Sequence, residues 1–289
     1  MNQKHWGILL FILAAGLGLY ALRLGPVQES IVFSSYSALA AATMVAGLII
    51  YRPKPLAGWL LFAAGQSLVA LGDFIFVQAV YLQNEWASAL LPGVLYIAGQ
   101  TAFLLGLGWI YFTYRDNMTT HAVTQGIIVA IGLAALIWIT EVSPNLNSGF
   151  GWQDWLWALA FPSGMLVLFT LASVVLLTPV GYPVSFRTMF AGLVACVIGY
   201  QFYQPSNTLA ISTATTPLFS PASVHLVYLN DFAYSAGYLL LGMAFLHPTL
   251  RAYRGPLPLK DSKISLVEIF LLSAAFWLAP AVYVINNLD

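Results

Sequence analysis

Two carboxylates stand where a chain rarely places them. Asp73 lies in LGDFIF, deep in an apolar run, and Asp231 lies in LNDFAYSAGYLLLGMAFL. A carboxyl group in apolar surroundings has three uses: it binds an ion, it accepts hydrogen bonds from a ligand, or it ties helices together through hydroxyls and amides. Other polar side chains fall near both in the apolar runs: Tyr96 and Gln100, Pro162 and Ser163, Gln201, and Tyr234. Pro162 removes one backbone hydrogen bond from its helix and frees a carbonyl, which suits a kink beside a pocket.

The elements that must hold these groups follow from composition. The chain has 289 residues, 60% of them hydrophobic and 7% charged. A water-soluble domain carries about 25% charged residues, so the bilayer is the expected solvent. Lipid admits helix bundles or closed barrels only. The apolar runs are about 20 residues long and do not alternate, which predicts an all-α polytopic bundle.

Nine spans are expected, near 6–22, 31–51, 56–82, 86–113, 121–141, 155–177, 186–204, 223–247 and 264–285, forming one membrane domain over 1–289. Proline and glycine mark the breaks at 52–55, 143–149, 178–183 and 254–258. Threading them puts Lys4, Arg52, Lys54, Arg115, Arg187, Arg251, Arg254, Lys260 and Lys263 on one side, and Arg23 alone on the other. The positive-inside rule then makes the N-terminus cytoplasmic. Uncharged 205–222 becomes an outer loop. Asp73 and Asp231 reach similar depth in the outer half of the membrane, level with Tyr96, Gln100 and Pro162.

Three helices that run inward share an aromatic-x-small-Gly step, at Tyr96–Gly99, Phe161–Gly164 and Tyr234–Gly237. Small residues let helices approach closely, and the recurrence also suits a repeated hairpin.

Several chemistries are excluded or left without support. Ten basic and ten acidic residues cancel, with no basic patch for nucleic acid. One cysteine, Cys196, rules out a disulfide framework and reads as a small buried side chain. His225 and His247 are about 33 Å apart along one helix and share no metal. Each is more readily an interfacial histidine, with single ligation of a pigment or metal as the other use. All four lysines lie outside the spans, so no retinal Schiff base forms, and no nucleotide-binding or hydrolase motif occurs. No cofactor is expected; bound lipid is, and pigment is the further option. One helix break gives little support to a transporter of small solutes or ions.

In order along the chain come Arg52-Pro53, Trp59 and Gly72-Asp73; then Phe161-Pro162-Ser163-Gly164; then Asp231, Tyr238, Leu240-Leu241-Gly242 and His247-Pro248; and last Leu278-Ala279-Pro280. Over residues 50–285 this order resembles the N-terminal multi-span sensor region of bacterial cyclic-di-GMP signalling proteins with GGDEF and EAL output domains. Met165 stands where that pattern often continues with Asp. The resemblance implies a non-catalytic sensory or binding module in the bacterial cytoplasmic membrane. Such a module couples an outer-half pocket to a cytoplasmic output through the basic loop Arg251–Lys263. No output domain follows in this chain. The other expectation is an accessory subunit, packed against lipid, other membrane chains or a second copy of itself.

Overall fold

The computed structural model describes residues 26–82, 90–114, 120–143, 162–171, 173, 183–213 and 221–251. Helix takes 94% of the interpretable structure, with no strand among the described residues. Seven helices are seen: α1 (Pro26–Tyr51), α2 (Leu56–Phe76), α3 (Leu90–Tyr114), α4 (Thr120–Ile137), α5 (Pro162–Leu171), α6 (Val184–Thr213) and α7 (Pro221–Leu246). α2 and α4 each end in a π-helical turn, Val77–Tyr81 and Trp138–Val142. The expected spans near 31–51, 56–82, 86–113, 121–141, 186–204 and 223–247 each fall on one of these helices. The first and ninth lie outside the described residues.

One expectation is corrected. The outer loop was placed at 205–222, but α6 continues to Thr213. Pro205 sits inside this helix, where its ring costs a single hydrogen bond without stopping the run. Pro221, by contrast, starts α7, a position where the missing N–H has no partner to lose.

Three helical stretches are long and apolar enough to cross a membrane: Ser30–Tyr51, Leu56–Ala79 and Leu91–Ile110. Their outward faces are apolar, with Ile49 67% exposed and Leu105 58% exposed. Hydroxyls on those faces turn back on their own helices. Ser35 donates to the Ile31 carbonyl at 2.7 Å and Thr101 to the Ile97 carbonyl at 2.8 Å. A hydroxyl with lipid for a neighbour has no better acceptor.

The chain divides into two compact units, Met1–Gly106 with Pro183–Arg254, and Leu107–Tyr182 with Gly255–Asp289. The first holds α1, α2, α6, α7 and most of α3. Arg52 closes α1 in the left-handed region, φ 45°, and its N–H returns to the Leu48 carbonyl at 3.0 Å. This turn feeds α2.

Two helix pairs inside this unit are built alike. In α2–α3, a Cβ on Gly65 would stand 2.7 Å from the Gly99 carbonyl oxygen, and one on Gly99 2.8 Å from the Gly65 oxygen. In α6–α7, Gly192 and Gly237 make the same reciprocal approach, at 2.9 and 2.8 Å. Seven residues beyond the first glycine of each pair comes a second, Gly72 or Gly199, pressed on the ring of Tyr96 or Tyr234. Six residues before it come Trp59 and Phe186, which meet edge to face with ring centroids 5.2 Å apart. The repeated hairpin expected from Tyr96–Gly99 and Tyr234–Gly237 is thus present in backbone geometry. Phe161, the start of the third such step, lies outside the described residues.

Candidate functional site

α2 is apolar except for a few positions, and two of these face inward together. Gln66 and Asp73 are seven residues apart, two turns on one helical face, and both are buried. α3 brings Tyr96 against Gly72, so the missing Cβ of Gly72 admits the phenol. Its hydroxyl donates to Asp73 Oδ1 at 2.9 Å. α1 contributes Ser37, fully buried, whose hydroxyl stands beside the Asp73 side chain. Gln66 Nε2 donates to the Ser37 carbonyl at 3.3 Å and to Ser37 Oγ at 3.2 Å. One serine therefore serves both polar residues of α2.

The far wall is aromatic and comes from α6 and α7. Cys196 and Tyr238 lie within electrostatic reach of Asp73. Phe33 of α1 packs edge to face on Tyr234 at 6.0 Å and on Tyr238 at 5.6 Å. Cys196 is buried and wedged against Gly237.

Asp73 is 5% exposed and has no cationic partner among the described residues. Its Oδ2 is buried without a hydrogen-bond partner, as is Gln66 Oε1, and on α7 Ser235 Oγ. Removing an ion from water costs several kcal/mol even after relaxation, and the hydrogen bonds from the Ser37 hydroxyl and the Tyr96 phenol each offset about 1.5–3 kcal/mol. The centre of this unit is therefore polar but incompletely satisfied, which suits proton, cation or polar-ligand binding. Its residues form no set of three or more metal-ligating side chains among those described.

The opposite polar cluster is satisfied. At the end of α7, His247 Nδ1 accepts from the Thr249 N–H at 3.2 Å and lies 2.7 Å from Thr249 Oγ1. Thr249 Oγ1 also accepts from the Ser185 N–H at 3.0 Å and reaches Ser185 Oγ at 3.1 Å. Tyr51 Oη donates to the Leu246 carbonyl at 3.1 Å. Burial holds the His247 imidazole below its ordinary range. Arg52 and Lys54 on the α1–α2 connection, Arg187 at the start of α6 and Arg251 after α7 flank this end.

The sequence-predicted residues separate accordingly. Asp73 and Tyr96 are hydrogen-bonded, and Gln100 is buried one turn along α3 from Tyr96. Tyr234 is half-buried against Gly199. Asp231 is half-buried on α7, seven residues before Tyr238. Pro162 is buried and Ser163 exposed, both in the second unit. The side chains of Gln201 and His225 lie outside the described residues. His247 is a capping residue held by Thr249. Ser37, Gln66, Cys196 and Tyr238 are the members that sequence reasoning passed over. The seven-residue spacing of Gln66 and Asp73 was the available signal.

No family model matches the chain, and no curated protein or solved structure shows a significant likeness to it.

Proposed function

We propose that the chain is a non-catalytic sensory or binding module of the bacterial cytoplasmic membrane, with its N-terminus inside and its occupant held at Asp73. One observation carries this reading: a buried carboxyl with an unpaired oxygen, at the junction of α1, α2 and α3 and facing α6 and α7. The ordered motifs from Arg52-Pro53 to His247-Pro248, and their resemblance to cyclic-di-GMP sensor regions, support a signalling role. Gathering four cations at the satisfied end supports an inward orientation for that end. The polar centre then lies toward the outer half of the bilayer. Occupancy there shifts the bundle between two packings, and the basic end hands the change to a cytoplasmic output.

The test is native mass spectrometry of the full chain in nanodiscs formed with its own lipids. A small molecule retained by the parent and released by Asp73→Asn and by Tyr96→Phe would identify an organic occupant, and a parent chain carrying nothing beyond bulk lipid would restrict the occupant to an ion or a proton. Asp73→Asn and Tyr96→Phe chains that keep the parent's conformational equilibrium and cytoplasmic output would sink the reading.

A structural accessory subunit is the second reading, favoured by large aromatics left exposed in the helices. Trp109 is 54% and Phe112 67% exposed. Such a chain would migrate within a large assembly after gentle solubilisation, rather than alone.

A further inference from the structure

We propose that the ligand of the Asp73 centre is a proton, bound reversibly at Oδ2. This rests on the reading of Asp73 as the occupied site and names its occupant. The geometry has three parts. Asp73 Oδ1 is engaged by the Tyr96 hydroxyl, whereas Oδ2 is buried and unpartnered. A second orphan acceptor, Gln66 Oε1, is buried on the same helical face, and Ser37 links the two residues. The titratable groups facing Asp73 are Tyr96 from α3, Cys196 from α6, and Tyr238 from α7; α1 faces it with the neutral Ser37. None of these is a cation. A buried carboxylate with an unpartnered oxygen and no cation among the described residues facing it is costly, and a proton neutralises it at least cost.

The exchange is simple to balance. In the closed bundle the carboxyl carries O–H at Oδ2 and accepts the Tyr96 hydrogen bond at Oδ1. When water reaches Oδ2, the O–H bond breaks, its electron pair stays on the oxygen, and the proton passes to water. The resulting carboxylate needs more donors than Tyr96 and Ser37 supply, so the α2–α3 seam loosens to hydrate it. Uptake of the proton reverses the change. Gly72 matters here because its bare Cα is what lets the phenol lie on α2 at all.

The experiment is infrared difference spectroscopy of the full chain in lipid vesicles, titrated between about pH 5 and about pH 8. The expected result is a protonated-carboxyl C=O band that fades as pH rises. It is absent in Asp73→Asn, retained in Asp231→Asn, and moved to higher frequency in Tyr96→Phe. A titrating band that survives in Asp73→Asn overturns the proposal, as does a carboxyl band that never titrates, or none. So does a titration displaced by about a pH unit or more when potassium is replaced with sodium, which would make the occupant a metal cation. If Asp73→Asn fails to fold, the frequency shift in Tyr96→Phe decides. Mass spectrometry of the bound small molecule is blind to a proton, so the two tests fail separately.

Discussion

The α2–α3 and α6–α7 pairs share a frame and differ in chemistry. In both, glycines seven apart on the first helix meet a Tyr-x-x-Gly step on the second. In both, an aromatic residue lies six positions before the crossing glycine. Yet the residue after each glycine changes class. Gly72 is followed by Asp73 and Gly99 by Gln100; Gly199 is followed by Tyr200 and Gly237 by Tyr238. A frame of glycines fixes how close two backbones come, and it tolerates any side chain that points away from the seam. Packing is therefore duplicated, while the polar group sits in one copy alone. The second copy supplies the phenolic wall, through Tyr238.

The comparison breaks most severely at the glycine crossings. Gly65→Ala and Gly192→Ala should each cost about 1–3 kcal/mol, because the new methyl meets backbone rather than a movable side chain. Equal losses in the two variants, read as thermal unfolding midpoints in detergent, would confirm that the pairs bear load alike. Gly108→Ala is the control. Nothing lies within 4 Å of its added Cβ, and helix propensity alone predicts a gain of about 0.5–1 kcal/mol.

A smaller effect separates the chemistry from the frame. Tyr96→Phe keeps the ring on Gly72 and removes the hydroxyl from Asp73 Oδ1. A loss of about 1 kcal/mol is expected, with helix content by circular dichroism unchanged. Gln66→Met should fall below that. It removes two long hydrogen bonds to Ser37 and also an unpaired buried oxygen, so the terms oppose. A loss larger than that of Tyr96→Phe would mean that the Gln66 amide, rather than the phenol, organises the centre.

The smallest effect belongs to the far end. His247 titrates below its ordinary range in the folded chain, so the unfolded chain binds its proton first as pH falls. Stability from the neutral ring is full above about pH 6.5 and is lost below it, as Nδ1 ceases to accept from Thr249. His247→Asn should flatten this acid-side decline in the unfolding midpoint. Its persistence would assign the slope to groups other than His247.

Much of this frame was legible from sequence. The span expected over 56–82 matches α2 with its π turn, because RPKP sets the start and the apolar run sets the length, although nothing in the run announced the π turn. The recurring aromatic-x-small-Gly step pointed to a hairpin copy as one of two readings. Partnership was less legible. Threading assigns Asp73 and Asp231 a depth, and depth in a bundle says nothing of azimuth. Gly192, Cys196 and Gly237 fix how closely α6 meets α7, which one chain read linearly does not reveal. Ser37 stayed hidden for the same reason: a serine in a span is ordinary until a neighbour turns an amide toward it.

The π turn at Val77–Tyr81 acts on phase. Its N–H groups reach one residue further back than in an α-helix, as Leu82 N–H does to the Val77 carbonyl at 3.1 Å. One extra residue thereby enters the winding, and Leu82 stands about 100° from the course set by α2. Asp73 lies one turn before this dislocation, so the face that holds it inward is set by the regular part of α2 alone.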